Sequence, residues 1–376
     1  MKHRQNGTVS DDQAGQFQKS FIWMYLELTK DQTNPINPDK VPSPAILIIL
    51  MGSLGDIIRA LCLICHLKSH WPQSRISWLV EARWAELIRL HRQIDKVIIF
   101  RREWRASALW QLCKELSQQD FDITLDLQRI FKSGLFSLLS GAKRRIGVHR
   151  NNAKELNWLF NNEHISYVDD NLSKLSHYLK FTEQLGLPAA TALDFGFDRF
   201  DGNKILPTAV VEIQNSFIAV VMGSSWETKD WYFEGYCRLV QQILSFLKRD
   251  VVLLGDSSQS PAARRLSKNM DSHKVIDLTG NSLVEMTAVL KAAAAGVGPD
   301  SGPGHLAAAV GTPYVTLFGP TPPGRHAPYG CDHLVVQTEK DCIPCYKKRC
   351  PGRNRECMYD IDPERVMEKL IKALKR

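Results

Sequence analysis

Hydrophobic positions along this chain form short continuous runs that alternate with stretches of helical spacing. The run Ala45–Leu50 is wholly apolar and is followed by glycines and then by a helical apolar pattern through Leu67. Continuous runs of this length are typical of strands buried on both faces of a parallel sheet. The same order restarts at Phe217–Met222, after a proline-marked break near 188–207. The sequence therefore predicts an α/β fold with two Rossmann-like domains that face a central cleft.

Two series of alternating strands and helices follow from this pattern. The predicted strands are 45–50, 76–80, 96–100 and 121–126 in the first series and 217–222, 251–256, 274–277, 295–298 and 314–318 in the second. The predicted helices are 82–91, 105–118, 233–248 and 363–375, with a further short one at Gln16–Thr29. The predicted domains are an N-terminal extension (1–43), two Rossmann-like domains (44–200 and 201–340), and a Cys-rich segment with a C-terminal helix (341–376).

Charge narrows the choice of partners. The formal net charge is +8, which favours anionic partners such as nucleic acid, an anionic membrane surface or phosphorylated substrates, and is also compatible with a mildly basic enzyme. The basic clusters at 101–102, 143–145 and 347–349 lack the aromatic interleaving of nucleic-acid-binding motifs, so we expect no nucleic-acid partner. The polar N-terminus predicts no secretory signal, and we expect a cytoplasmic protein whose nine cysteines form no disulfide framework.

The loop Gly52–Asp56 follows the first predicted strand and opens the first predicted helix. Glycines at such a place let backbone N–H groups face a ligand. The spacing is not Gly-x-Gly-x-x-Gly, which disfavours an NAD-dependent oxidoreductase. Asp56 has two interpretations, because aspartate commonly caps a helix N-terminus and is also suited to act as a catalytic base.

Two loops of the second predicted domain also carry polar side chains directly after strands. In the first loop, Ser224, Ser225 and Lys229 suit a diphosphate, because hydroxyls donate hydrogen bonds and an ammonium neutralises charge, although an ordinary polar loop is the alternative. The second loop opens an alanine-rich helix whose N–H groups could face phosphate. Its candidate residues are Asp300, Ser301, Gly302 and His305, and for His305 a buried structural histidine is the alternative.

Four cysteines lie close together near the C-terminus with the spacing Cys342-x2-Cys345-x4-Cys350-x6-Cys357. Thiolates bind Zn²⁺ tetrahedrally, so one interpretation is a structural zinc site, and the other is free or redox-labile thiols. Asp360-Ile361-Asp362 has the Asp-x-Asp form of some divalent-metal sites. Because Asp362 precedes Pro363, we interpret it as the N-cap of the C-terminal helix instead.

Taken together, these motifs resemble glycosyltransferase family 9, the bacterial ADP-heptose:lipopolysaccharide heptosyltransferases. The resemblance covers about residues 45–370. Its most specific part is Asp300–Ala309 running on to Phe318–Thr321. The loop Gly52–Asp56 and the Ser-Ser-x-x-x-Lys-x-Trp segment at 224–231 come next.

The resemblance implies a GT-B fold and an inverting glycosyl transfer that needs no metal for catalysis. It assigns the catalytic base to Asp56, the diphosphate contacts to Ser224, Ser225 and Lys229, the nucleotide-sugar loop to Asp300, Ser301, Gly302 and His305, and acceptor contacts to Gly55 and Lys132. The implied donor, on the second domain, is a nucleotide-diphospho-sugar such as ADP-heptose. The implied acceptor, on the first domain, is an anionic glycolipid, and the basic chain would meet it at the inner face of the cytoplasmic membrane.

Two departures from the family pattern leave the donor open. Ser224-Ser225 stands where members usually carry Thr-Thr or Ser-Thr, and Gly255-Asp256-Ser257 lacks the glutamate that heptosyltransferases place near the adenosine. Two other functions fit the same fold. A sugar-nucleotide epimerase or hydrolase would turn over donor without acceptor, whereas a catalytically silent sugar-nucleotide-binding protein would keep its function after Asp56→Ala.

Overall fold

The computed structural model describes residues 43–102, 106–270 and 274–375. These residues build two six-stranded sheets in which all neighbouring strands are parallel. The α/β fold predicted from the sequence is therefore confirmed. The helix predicted at Gln16–Thr29 lies outside the described residues.

The first half of the chain carries the first sheet. Its strands are β1 (Ala45–Ile49), β2 (Arg75–Glu81), β3 (Lys96–Phe100), β4 (Ile123–Asp126), β5 (Arg144–Gly147) and β6 (Glu163–His164). Its α-helices are α1 (Leu54–His70), α2 (Ala85–Arg89), α3 (Ala106–Ser117), α4 (Phe131–Leu139) and α5 (Lys174–Gln184), and a 3₁₀ turn spans Asn157–Phe160.

The second half carries the second sheet. Its strands are β7 (Phe217–Val221), β8 (Asp250–Leu254), β9 (Val275–Asp277), β10 (Ala295–Pro299), β11 (Tyr314–Phe318) and β12 (Val335–Gln337). Its α-helices are α6 (Thr208–Val211), α7 (Phe233–Gln242), α8 (Ser260–Lys268), α9 (Leu283–Ala292), α10 (Gly302–Ala309), α11 (Pro323–His326), α12 (Glu356–Tyr359) and α13 (Pro363–Leu374), and a π-helical turn at Ile243–Leu247 extends α7.

Both sheets have the strand order of a Rossmann fold, namely β3-β2-β1-β4-β5-β6 and β9-β8-β7-β10-β11-β12. In each sheet the chain starts at the centre, builds outwards on one side, and then returns to build the other side. The two central strands of such a sheet define a switch point, and ligands bind at their carboxyl ends. The loops after β1 and β4, and those after β7 and β10, lie at these two points.

Strands form where the sequence has continuous apolar runs, and every residue of β1 and β7 is buried. The C-terminal helix α13 also begins as predicted. The Asp362 carboxylate accepts a hydrogen bond from the Glu364 N–H, and Pro363 occupies the first helical position. Asp362 is therefore a helix cap, as the sequence indicated.

Strands β5 and β6 were not predicted because charged residues interrupt their apolar pattern. Arg144 on β5 forms a two-point ion pair with Glu163 on β6, with N–O distances of 2.7 and 2.8 Å. Arg145 is buried, and its Nη1 donates to the Ala142 carbonyl at 3.0 Å. The cluster at 143–145 is therefore largely internal and is not a basic surface patch.

The two halves meet where the N-terminal turns of α1 and α10 pack together. A Cβ atom at Gly302 would lie 2.5 Å from Leu54 Cδ2, and one at Gly55 would lie 2.9 Å from His305 Cδ2. Any larger side chain at these positions would push the helices apart, because real Cβ contacts essentially never fall below 3.0 Å. The close approach brings the loop at Asp56 next to the loop at Asp300.

Candidate active site

Loops from the central strands of both sheets converge on this junction. The loop after β4 braces the loop after β1, since Gln128 Oε1 accepts hydrogen bonds from the backbone N–H groups of Met51 at 2.7 Å and Gly52 at 3.2 Å. The first turn of α1 follows directly and carries Asp56. The position of Asp56 is thus set by two strands of the first sheet.

Asp56 is surrounded by cationic and hydroxyl donors. Its Oδ1 accepts from Lys174 Nζ at 2.8 Å and from Arg59 Nη1 at 3.3 Å, and its Oδ2 accepts from Ser53 Oγ at 2.9 Å. Its side chain is 15% exposed. Ser53, and not Asp56, occupies the N-cap position of α1. Asp56 instead lies in the first turn of α1, where an acidic residue is also favourable, so its catalytic role stays a prediction.

The electrostatics of the site keep Asp56 ionised. Burial by itself would raise the pKa of its carboxyl group, but the charges of Lys174 and Arg59 outweigh burial and hold the pKa well below its usual range. The carboxylate is therefore unprotonated at neutral pH, as a general base must be before the reaction, and the same two cations lower its affinity for a proton.

Arg59 links this carboxylate to the second half of the molecule. Its Nη2 donates to His305 Nε2 at 2.5 Å and to the His326 carbonyl oxygen at 3.3 Å. Burial, followed by the charge of Arg59, holds the pKa of His305 well below its ordinary value. His305 is thus a neutral hydrogen-bond acceptor that couples the two domains, and its place in the nucleotide-sugar loop stays a prediction.

A second charged pair lies on the other side of the junction. Lys229 Nζ donates to Asp300 Oδ2 at 2.6 Å, and Thr321 Oγ1 donates to the same oxygen at 2.7 Å. Burial raises the pKa of Asp300, but the Lys229 charge outweighs it and lowers that pKa to about 2. The Lys229 ammonium also lies 4.5 Å from the centroid of the Trp226 ring. The structure therefore brings Lys229 and Asp300 together, as the sequence predicted for one crevice.

The serines predicted to bind diphosphate occupy different environments. Ser224 Oγ donates to the Trp226 carbonyl at 2.8 Å, and its backbone N–H donates to Asp230 Oδ1 at 2.7 Å. Ser225 is exposed. Ser301 is the N-cap residue of α10, although its hydroxyl donates to the Pro299 carbonyl at 3.1 Å. Ser224 thus shapes its own loop, and Ser225 is the hydroxyl open to a ligand.

Two clefts open beside the loop after β1. The first has a volume of about 520 Å³ and combines Asp56 with cationic side chains. Those side chains are Arg129, Lys154, Lys174 and Arg325. His177 also lines this cleft, and burial together with the charges of Arg325 and Arg129 lowers its pKa. The second cleft, of about 460 Å³, contains Lys132 together with Arg83 and Arg102. The predicted acceptor residues Gly55 and Lys132 are therefore separated: Gly55 packs against His305, whereas Lys132 lies 4.9 Å from the Phe100 ring centroid.

Three residues that contact or bridge the site were missed by sequence reasoning. Arg59 lies one helical turn after Asp56, so helical spacing could have indicated it. Lys174 lies 118 residues from Asp56, and no local pattern marks it. Arg325 Nη2 donates to Asp170 Oδ1 at 3.1 Å and so joins the second half to the first, again without a sequence signal.

Three of the four clustered cysteines lie in the segment between β12 and α12, and Cys357 lies in α12 itself. Cys342 is exposed, Cys345 and Cys350 are partly buried, and Cys357 is buried. Burial raises the pKa of the Cys357 thiol to about 11, and the other three cysteines add to the rise. Among the described residues, no three His, Cys, Asp or Glu side chains are arranged to hold a metal ion. The zinc site therefore stays a prediction.

Two Rossmann-like domains that meet at such a junction have the GT-B architecture, which several classes of sugar-nucleotide protein share. Comparison with known proteins identifies its family. The model of Glycosyltransferase family 9 (heptosyltransferase) matches residues 109–355. The chain belongs to glycosyltransferase family 9 and is a glycosyltransferase.

Individual relatives agree with this assignment. The chain is 28% identical over 339 residues to Lipopolysaccharide heptosyltransferase 1 of Pseudomonas aeruginosa, which covers 86% of this chain and 92% of that protein. It is 26% identical over 315 residues to the lipopolysaccharide core heptosyltransferase OpsX of Haemophilus influenzae. That match covers 79% of this chain and 85% of OpsX. The solved structure of E. coli heptosyltransferase WaaC with ADP superposes with a TM-score of 0.72, at 22% identity, over 88% of this chain and 99% of that one.

Within the described part of the chain, no helix has both the length and the apolarity that crossing a bilayer requires.

Proposed function

We propose that this protein is an inverting heptosyltransferase that moves heptose from ADP-heptose onto a lipopolysaccharide core or a related anionic glycolipid, without a metal in the chemical step. The relatives are heptosyltransferases by name, which supports the sugar and the acceptor class. The observation that carries the proposal is the ionised Asp56 carboxylate, placed between a cationic cleft and the second domain.

In this proposal Asp56 is the general base. An acceptor hydroxyl in the cleft transfers its proton to Asp56 as its oxygen bonds to the anomeric carbon of the donor. The bond from that carbon to the diphosphate oxygen breaks on the opposite face, so the configuration inverts. The electron pair leaves with the nucleoside diphosphate.

The leaving diphosphate would be stabilised by the second domain. Lys229 supplies a positive charge, and the eight-residue helix α10 presents backbone N–H groups at its N-terminus. Because Lys229 is paired with Asp300, a bound diphosphate would share the ammonium with that carboxylate. Fixed cationic and N–H donors of this kind replace the role that a metal plays in other transferases.

The charges that line the Asp56 cleft support an anionic acceptor. Arg129, Lys154, Lys174 and Arg325 line the cleft around Asp56, together with the single further acid Asp170 among its lining residues. A cleft with this excess of cations suits phosphate or carboxylate groups on the acceptor. An anionic glycolipid presented at a membrane surface fits that description.

The direct test is a panel of nucleotide-diphospho-sugars assayed for release of nucleoside diphosphate, with and without acceptor, and with and without EDTA. We expect release from ADP-heptose only when a lipopolysaccharide-core acceptor is present, and an unchanged rate in EDTA. Metal analysis of the same samples before and after chelation checks the predicted zinc at the four cysteines, with about one equivalent expected before treatment.

Each arm of this test has a contrary outcome. Release at the full rate without acceptor would favour the epimerase or hydrolase function. Binding of donor without any turnover would favour a silent binding protein. Loss of transfer in EDTA would make the chemistry metal-dependent, and metal-free purified protein would overturn the zinc prediction while leaving the transferase function intact.

Lys174→Met is expected to change the pH dependence of transfer. In the wild type the depressed pKa of Asp56 keeps the base charged throughout the neutral range, so its protonation should not limit kcat/KM there. Removal of the Lys174 charge raises that pKa, because burial is then opposed by the Arg59 charge and the Ser53 hydrogen bond and no longer by Lys174. The acid limb of the kcat/KM profile should move to higher pH by about one unit or more.

Lys154→Met is the matched control for this profile. Lys154 lines the same cleft but is not among the residues that shift the pKa of Asp56. It should lower acceptor affinity without moving the acid limb. Identical acid limbs in Lys174→Met and the wild type would show that Asp56 is not the titrating base.

A further inference from the structure

The surface beside the Asp56 cleft carries three large apolar side chains that face solvent. Phe131 at the start of α4 is 43% exposed, Leu156 is 59% exposed and Leu159 is 45% exposed. They belong to neighbouring segments, because the Phe131 N–H donates to Glu155 Oε2 at 3.3 Å and the Leu159 N–H donates to the Leu156 carbonyl at 3.1 Å. We call these three side chains the apolar patch.

The backbone holds Leu156 outward at an energetic cost. Glu155 and Leu156 both have left-handed backbone angles, with φ of 52° and 59°. A left-handed conformation is unfavourable for a bulky residue such as leucine, and two such residues in succession are uncommon. Leu156 stays exposed, so contacts of its side chain with the described residues do not compensate for the unfavourable backbone conformation.

Buried contacts on either side impose the conformation. The Lys154 N–H donates to the Arg129 carbonyl at 2.8 Å, and Asn157 Nδ2 donates to the buried Asp126 Oδ2 at 2.6 Å. The Phe131 ring packs edge-on against Phe160, with centroids 5.0 Å apart. The turn is therefore rigidly anchored below, while its leucines project from the surface.

The patch has a basic border. Lys132 follows Phe131 directly, and Lys154 precedes the left-handed turn. Glu155 is the acid within this stretch, and its carboxylate accepts the Phe131 N–H. An apolar centre with basic neighbours is the pattern by which peripheral proteins bind anionic lipid surfaces.

The location connects the patch to the acceptor cleft. Lys154 and Ile130 both line the cleft that contains Asp56, and each is adjacent in sequence to a part of the turn or helix that bears the patch. A lipid-linked acceptor with its sugar at Asp56 would therefore have its lipid portion near the rim where the patch lies.

We propose that Phe131, Leu156 and Leu159 insert into the interface of an anionic lipid bilayer and dock the first domain on it, with Lys132 and Lys154 contacting lipid headgroups. This inference rests on the proposed function, because it is the lipid-linked acceptor that brings a lipid surface to this rim. A second copy of the chain is a poorer occupant, because a symmetric contact would bring the basic borders of two chains with charge +8 together.

The test is co-sedimentation of the full-length protein with vesicles of phosphatidylethanolamine and phosphatidylglycerol, compared with vesicles of phosphatidylcholine. We expect binding to the anionic vesicles that weakens with salt. The triple variant Phe131→Ser, Leu156→Asn, Leu159→Ser should bind at least about tenfold more weakly. Asparagine is chosen at 156 because it tolerates the left-handed backbone. Loss of the Phe131 ring contact with Phe160 should lower the melting temperature of the triple variant, so the double variant Leu156→Asn, Leu159→Ser, which keeps that contact, is measured beside it and should also bind more weakly.

Phe246→Ser is the matched control, because Phe246 is 76% exposed on the π-helical turn of the second half. It should bind vesicles as the wild type does. Binding of the triple variant at the wild-type level, or failure of the wild type to bind anionic vesicles, would overturn the proposal. A wild-type dimer that the triple variant converts to monomer in analytical ultracentrifugation would make the patch a self-association surface instead.

The vesicle assay contains neither donor nor acceptor, so its result is independent of the proposed transferase chemistry. In the transfer assay, the triple variant should keep wild-type kcat/KM with a water-soluble core fragment and lose rate only with acceptor embedded in vesicles. Failure of both proteins on the soluble fragment would count against the proposed function and would leave the docking result standing.

Discussion

Asp56→Asn is expected to lower kcat/KM for glycosyl transfer by about 10²–10⁴-fold, the usual contribution of a general base. The amide keeps the shape of the carboxylate but cannot take the acceptor proton. Lys174 and Arg59 would then face each other's charge without the carboxylate between them. We therefore also expect weaker coupling between the two halves, through the contact of Arg59 with His305.

The control for this variant is Glu183→Gln. Glu183 lies on α5, the helix that carries Lys174, but it pairs at the surface with Lys180. Its removal should leave transfer unchanged. Donor affinity, measured by titration calorimetry, should be similar in Asp56→Asn and the wild type, because the donor is expected on the second domain. Full transfer activity in Asp56→Asn would place the base elsewhere.

Lys229→Met should damage both activity and stability. Loss of the charge opposite the leaving diphosphate is expected to reduce kcat by about 10²–10³-fold. The variant also leaves Asp300, which is 5% exposed, as a buried carboxylate with Thr321 as its remaining hydrogen-bond donor among the described residues. Breaking one partner of a buried ion pair costs about 3–5 kcal/mol, so the melting temperature should fall.

A second substitution separates the two effects. Lys229→Met combined with Asp300→Asn removes the stranded charge, so thermal unfolding should recover much of the lost stability. Activity should stay low, because the cation for the diphosphate is still missing. Recovery of activity in the double variant would mean that Lys229 serves only to neutralise Asp300, and a double-mutant cycle measures the coupling.

The main strands and the loops that carry chemistry were predictable because their signals are local. Apolar runs mark β1 and β7, and the polar residues after such strands fall at the switch points of the two sheets. The cap at Asp362 is also a local signal. By contrast, β5 was missed because its arginines find partners only in the folded protein, where Arg144 meets Glu163.

The assignment of roles to the loop residues could not be made from local pattern. Ser224 and Ser225 look equivalent in sequence, yet one hydroxyl is committed to its own loop and the other is exposed. His305 lies in a motif that suggests a ligand contact, but it accepts a hydrogen bond from Arg59 of the other domain. Such differences depend on which groups come within hydrogen-bond distance after folding.

By itself, the sequence determined that the chain alternates strands and helices in two Rossmann-like series and that polar loops follow the central strands, because periodicity and helix caps act over a few residues. Only the tertiary structure decided that the Asp56 carboxylate pairs with Lys174, 118 residues away, and that Arg59 reaches His305 across 246 residues. Electrostatic and hydrogen-bond contacts act through space over a few ångströms, so the separation of two residues along the chain does not reveal whether they are in contact.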